Sequence, residues 1–149
     1  MLIIALAMIP RVLQAQDYKN QQDPFDKEKV NILDSNGNKI GYYKVDVFDK
    51  SKINVYDSQG RLVQTIKNDA FDKDKTNTYD QNGNKQSSSK QDAFNSNREN
   101  ITDKYGNIVG YREIDAFDKN RINVYNKNGT KIGYYKKNNI SGNWEYFTL

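Results

Sequence analysis

Carboxylates are the most numerous groups in this chain that could do chemistry, 15 Asp and 4 Glu, and many stand close to asparagine and glycine. In "DSNGN", Asp34, Asn36 and Asn38 alternate like the ligands of a calcium loop, since hard cations take oxygen donors from every second residue of a tight loop. The glycine comes fourth in that string instead of sixth and no Glu closes it, so no metal is expected. A carboxylate pair for glycoside hydrolysis would have to come from the same acidic set. Almost every Asp, however, occupies a recurring slot in which a turn needs a side-chain acceptor. Glu99 and Glu113 break the recurrence and read as surface drift. The chain has no Cys and no His, which removes thiolate nucleophiles, imidazole bases, disulfides and nearly all zinc or haem chemistry. Phosphate-cradling glycine loops and nucleophile motifs are absent too. The expectation is a protein that is not an enzyme and uses no cofactor.

Tyrosine, with 11 copies, is the residue most in excess. Tyr42 and Tyr43, and again Tyr134 and Tyr135, are adjacent pairs, and neighbours on a strand face opposite sides of a sheet. One of each pair can pack while the other stacks on a sugar ring or a partner protein. These four tyrosines and Trp144 are the candidate binding residues. Cross-strand packing is the preferred use of the tyrosines, and a closing cap the preferred use of Trp144.

The elements that must position these groups are set by a repeat. Phe25, Phe48, Phe71, Phe94 and Phe117 are spaced by 23 residues, as are Asn31, Asn54, Asn77, Asn100 and Asn123. Asp23, Asp46, Asp69, Asp92 and Asp115 open the units, and Gly37, Gly60, Gly83, Gly106 and Gly129 keep the same step. A fixed period of this length means an array in which each unit packs on its neighbours. Within "KINVYDSQGRLVQTIKNDAFDK", the alternation around Ile53 and Val55 predicts a strand, "DSQG" a hairpin turn with a bulge, and "RLVQTIK" the returning strand. "DAFDK" predicts a second reversal, its Asp residues capping the turn and its Phe pinning the turn against the sheet.

The copies are unequal. Residues 69–91 carry only Ala70, Phe71 and Tyr79 as apolar or aromatic side chains, and their returning strand is "KQSSSKQ". The third unit is therefore expected to open first. The register runs on to Asn138, Ile140, Trp144 and Phe147, so "GNWEYFTL" predicts a capping strand. The fold class expected is all-β: tandem 23-residue hairpins in an elongated antiparallel meander, about 48 Å across for ten strands at the usual strand spacing. The alternative is a β-solenoid, in which the mid-strand asparagines would stack in a ladder.

Residues 1–16 read as a signal peptide: Leu2 to Ile9 are all apolar, too short a run for a bilayer, with a cut expected near Ala15 or Gln16. A buried or interfacial N-terminal helix is the competing reading. Residues 17–22 are expected as a linker and 23–149 as the repeat body. Lys and Arg total 23 against 19 Asp and Glu, with signs alternating as in "FDKDK". That pattern argues against nucleic acid and against a polybasic membrane patch.

"VYDSQGRL", "TYDQNGNK" and "KYGNIVGY" resemble the bacterial YD repeats of Rhs-type surface and toxin-shell proteins, built on Tyr, Asp, two variable residues and Gly. "NGNKIGYYK", "NGTKIGYYK" and "SGNWEYF" are similar to bacterial MORN-like hairpin repeats. The resemblance spans residues 23–147; the chain lacks the length of Rhs shells and the second set of glycines of the MORN pattern. What it implies is a non-enzymatic β scaffold, with no catalytic residue to carry over. The function expected is an exported protein, secreted, periplasmic or on the cell surface, that presents a β surface to a protein or glycan of a bacterial envelope. The alternative is an intracellular antitoxin-like or scaffold module.

Overall fold

A computed structural model describes residues 16–149. The leader expected over residues 1–16 lies outside the described residues except for Gln16. The twelve strands are β1 (Tyr18–Gln22), β2 (Lys29–Asp34), β3 (Lys39–Val45), β4 (Lys52–Asp57), β5 (Leu62–Asn68), β6 (Lys75–Asp80), β7 (Lys85–Gln91), β8 (Arg98–Asp103), β9 (Ile108–Ile114), β10 (Arg121–Asn126), β11 (Lys131–Lys137) and β12 (Trp144–Thr148). Each pairs antiparallel with the next, and β1 pairs with β12 through Tyr18 opposite Tyr146, so the sheet closes into a barrel.

The all-β reading holds, but the sheet is neither an open elongated meander nor a solenoid. Twist and bulges account for the closure. Each of the five hairpins closed by a glycine turn carries one register shift, as between Val55 and Tyr56, and each bulge adds to the coiling that bends a twisted sheet round on itself. Closure also removes the bare edge strands an open array would expose. Residues 17–22, expected as a linker, hold β1. Residues 18–22 stand 23 before 41–45 of β3, and 144–148 match 122–126 of β10 at a step of 22, since the last turn is one residue shorter and Trp144 faces Lys137 as Ile122 faces Ile114. The step of 23 does not run on to Trp144, which takes the interior Ile122 slot. The two termini thus supply the two halves of a sixth unit.

The turns follow the chemistry read from the sequence. In "DSQG", Asp57 Oδ1 accepts the N–H groups of Gln59 and Arg61, both at 2.9 Å, and Gly60 takes φ +80°. Asp34 does the same for Asn36 and Asn38, which explains the calcium-like string as turn geometry. In "DVFDK", Asp46 Oδ1 accepts from the N–H groups of Phe48 and Asp49, and Asn54 Nδ2 donates to Asp46 Oδ2 at 2.9 Å. The equivalent Asn–Asp bond recurs in all five units at 2.8–3.1 Å. The mid-strand asparagines therefore tie each strand to its own preceding turn instead of stacking in a ladder.

The core lines the barrel. Ile32 and Val55 are fully buried, with Tyr18, Tyr43, Ile66, Ile122 and Tyr135 close to it. Cross-strand partners carry this interior face round the sheet: Val55 lies opposite Gln64, and Ile66 opposite Thr78.

Candidate binding rim and barrel interior

The six "DxF"-type turns all lie on one rim, between β1 and β2 and then between every second pair of strands as far as β11 and β12. The five glycine turns and the chain termini form the other rim. At the first rim the turn phenylalanines stand in solvent: Phe25 is 96% exposed, Phe48 98%, and Phe71, Phe94 and Phe117 100%. Ile140, in the sixth slot, is 98% exposed. The expectation that Phe pins the turn to the sheet is thus overturned. The Asp carboxylate and its Asn partner hold the loop from inside, so the residue two after the Asp is carried to the tip.

The second carboxylate of these turns is neutralised from the wall below. Asp26 pairs with Lys44 at 2.7 Å, Asp49 with Lys67 at 3.1 Å, Asp72 with Lys90 at 2.6 Å and Asp118 with Lys136 at 3.8 Å. The Lys90 ammonium holds the Asp72 carboxyl below the usual range, and Lys44 does the same for Asp26. The fourth unit has Asn95 in this Asp slot and Glu113 in the matching Lys slot, and Glu113 pairs with Arg98 at 2.8 Å. The break at Glu113 is a compensated exchange of charge.

Glu99 has a different explanation. It is cross-strand partner to Arg112 on the interior face, with Arg112 Nε 2.6 Å from Glu99 Oε2. Burial alone would push the Glu99 carboxyl up, but the Arg112 charge and hydrogen bond outweigh it and hold the carboxyl below its ordinary value. Neither glutamate is free surface drift. Arg112 escaped the sequence reading, yet a signal was present: its slot holds Tyr43, Ile66, Ser89 and Tyr135 in the other units, and the Glu99 slot holds Val30, Ile53, Thr76 and Ile122. Two positions that never carry charge elsewhere become charged together, with opposite signs.

The sequence-predicted binding residues are divided between the two faces. Tyr43, Tyr135 and Trp144 are buried, and Tyr18 donates from its hydroxyl to Tyr135 Oη at 3.3 Å. Burial pushes the phenols of Tyr43 and Tyr135 well up from their ordinary value. Tyr42 and Tyr134 lie half-buried on the outer wall. Tyr42 stacks on Tyr56 at 4.8 Å under Lys29 and Lys39, and Tyr134 stacks on Phe147 at 5.1 Å under Arg121 and Lys131. The structure does not bring the five together into one site.

Two cavities lie at the phenylalanine end of the barrel. One, about 340 Å³, reaches Glu99, Arg112, Ile114 and Ile122 past the loop residues Lys73 and Ser96. The other, about 390 Å³, is lined by Val30, Tyr43, Val45, Ile53 and Ile66. Asn68 and Thr76 line both. Among the described residues no cluster of acidic side chains is arranged to hold a metal ion.

No protein-family model and no curated protein sequence matches the chain. Among solved structures, the chain is similar in fold to the X-ray structure of a protein from Arabidopsis thaliana, with a TM-score of 0.64 and 13% identity over 89% of this chain and 78% of that one.

Proposed function

We propose that this is a non-catalytic, exported binding protein that docks on a protein or glycan of a bacterial cell envelope through the rim crowned by Phe25, Phe48, Phe71, Phe94, Phe117 and Ile140. One observation carries the reading: six large apolar side chains, 96–100% exposed, stand on the same rim of a barrel that has an interior to bury them in. Each forgoes about 1.5–3 kcal/mol of burial. Exposed apolar residues gathered on one face mark interaction surfaces, and aromatic side chains dominate the energy of such contacts. The carboxylates beside them are already paired with wall lysines, which lowers the cost of covering the rim. Export is supported by the apolar run from Leu2 to Ile9.

Binding of labelled protein to bacterial envelope fragments tests the reading, with a glycan array to separate the two partner classes. The triple variant Phe48→Ser, Phe71→Ser, Phe94→Ser is expected to keep its melting midpoint and to bind at least tenfold more weakly. The wall variants Tyr42→Ser and Tyr134→Ser are expected to bind as wild type. Envelope binding that survives the triple substitution, or no envelope binding at all, overturns it; the second result would return the protein to an intracellular scaffold role.

A further inference from the structure

Twelve strands enclose more space than eight, the number whose side chains just fill a barrel. The interior is also two-sided. Its apolar sector includes Ile32, Tyr43, Val55 and Ile66, while Thr76, Ser89, Glu99 and Arg112 form a polar sector. Arg112 is 2% exposed, and its Nε is committed to Glu99. Its Nη1 and Nη2 have no hydrogen-bond partner among the described residues. Buried guanidinium donors left unpaired are costly, and the planar fork they present fits the two oxygens of a carboxylate.

We propose that the barrel binds a long-chain carboxylic acid, its carboxylate on Nη1 and Nη2 of Arg112, which lines the first cavity, and its alkyl chain in the apolar cavity beside Val30, Val45 and Ile53. The two cavities share Asn68 and Thr76, so head and tail sites adjoin. Each has a volume in the lower range for pockets that take small organic ligands. Both reach the crowned rim, which gives the entry route, with Lys73 at one mouth and Lys50 at the other. Glu99 has a definite part in this site: its contact with Nε orients the Arg112 guanidinium, and its charge also repels an incoming carboxylate. This inference does not rest on the docking role of the rim.

The full-length protein would be titrated with dodecanoate and with dodecanol, reading the fluorescence of Trp144, the lone tryptophan of the chain. Saturable dodecanoate binding is expected, at least tenfold tighter than dodecanol. Removing both charges together with Glu99→Gln and Arg112→Met avoids a stranded buried charge and should lower dodecanoate affinity at least tenfold while leaving dodecanol binding alone. Glu99→Gln by itself should tighten dodecanoate. The proposal is overturned if the full chain shows no saturable binding, if acid and alcohol bind alike, or if the double variant binds dodecanoate as wild type.

Discussion

At the scale of single residues, the carboxylates that could have done chemistry are committed to geometry. Asp46 accepts from Asn54, Phe48 and Asp49, and those bonds, the Asn54 amide first among them, hold its carboxyl down at about 2. Asp69 is held at about 2 by Asn77 and Phe71 in the same way, and Asp23 at about 2 by the Phe25 N–H and Asn31. Unfolded aspartate titrates near 3.9, about two units higher. A carboxyl depressed in the folded state stabilises the fold above its unfolded pKa, and that contribution is lost as the pH falls through the folded value. The melting midpoint should therefore stay level from pH 7 down to about 4.5 and drop steeply between about pH 4 and 2. Asp46→Asn, which cannot ionise, should melt lower at neutral pH and lose less over the acid range. Circular dichroism melts across pH check both points, and a midpoint that holds level to pH 2 would contradict them. This layer was legible in the sequence, because a repeated Asp that opens a turn has a local explanation, the backbone N–H groups two to four residues on that its carboxylate accepts from. Arg112 was harder to see, since a lone charged residue on a strand carries no local signal and its meaning comes only from Glu99 across the ladder.

At the scale of the element, strands and turns could be read because period and turn chemistry are local, whereas the direction of the rim phenylalanines could not. A Phe in a turn satisfies the apolar pattern equally well folded under or pointing out; the Asn–Asp bond across eight residues decides it. Differences between units also become physical here. The interior faces of β4 and β5 present Ile53, Val55 and Ile66, while β6 and β7 present Thr76, Thr78 and Ser89 in the matching region. Replacing three aliphatic side chains by hydroxyls withdraws about 1.5–3 kcal/mol of burial each. Closure does not compensate, since every strand of the barrel has two ladder neighbours and β6 and β7 gain no more from this than β4 and β5. Amides of residues 75–91 are accordingly expected to exchange faster than those of 52–68 under native conditions, by local opening. Hydrogen-exchange mass spectrometry resolves the two segments, and equal or slower exchange in 75–91 would show that the polar sector is held by something other than its own burial.

At the scale of the whole molecule, closure was the feature the sequence hid. β1 reads "YKNQQ", polar and without a turn of its own unit before it, and it is held as a strand by β2 along its whole length and by β12, whose open side it closes at Tyr18 and Lys19. Counting back 23 residues from β3 would have found it, but a truncated copy at the start of an array looks like a linker. The barrel is best seen as six equivalent units in a ring, the sixth divided between the ends of the chain. The ends meet: Asp17 Oδ1 accepts from the Thr148 N–H at 2.7 Å and from its hydroxyl at 3.0 Å. If the ring is the unit of stability, the place where the chain is cut should matter little as long as the cut falls in a turn. A permuted chain that joins Leu149 to Asp17 by a short glycine linker and opens between Asn82 and Gly83 is expected to fold with a single transition within about 10 °C of the unpermuted 17–149 chain. Removing 144–149 should act differently, because it withdraws Trp144 and Tyr146 from the interior and leaves β1 and β11 with bare edges. That chain should lose its cooperative melt or associate through the exposed edges. Thermal melts with size-exclusion chromatography separate the outcomes: a permuted chain that fails to fold, beside a truncated one that melts normally as a monomer, would mean that the sheet is stabilised hairpin by hairpin and that its closure is incidental.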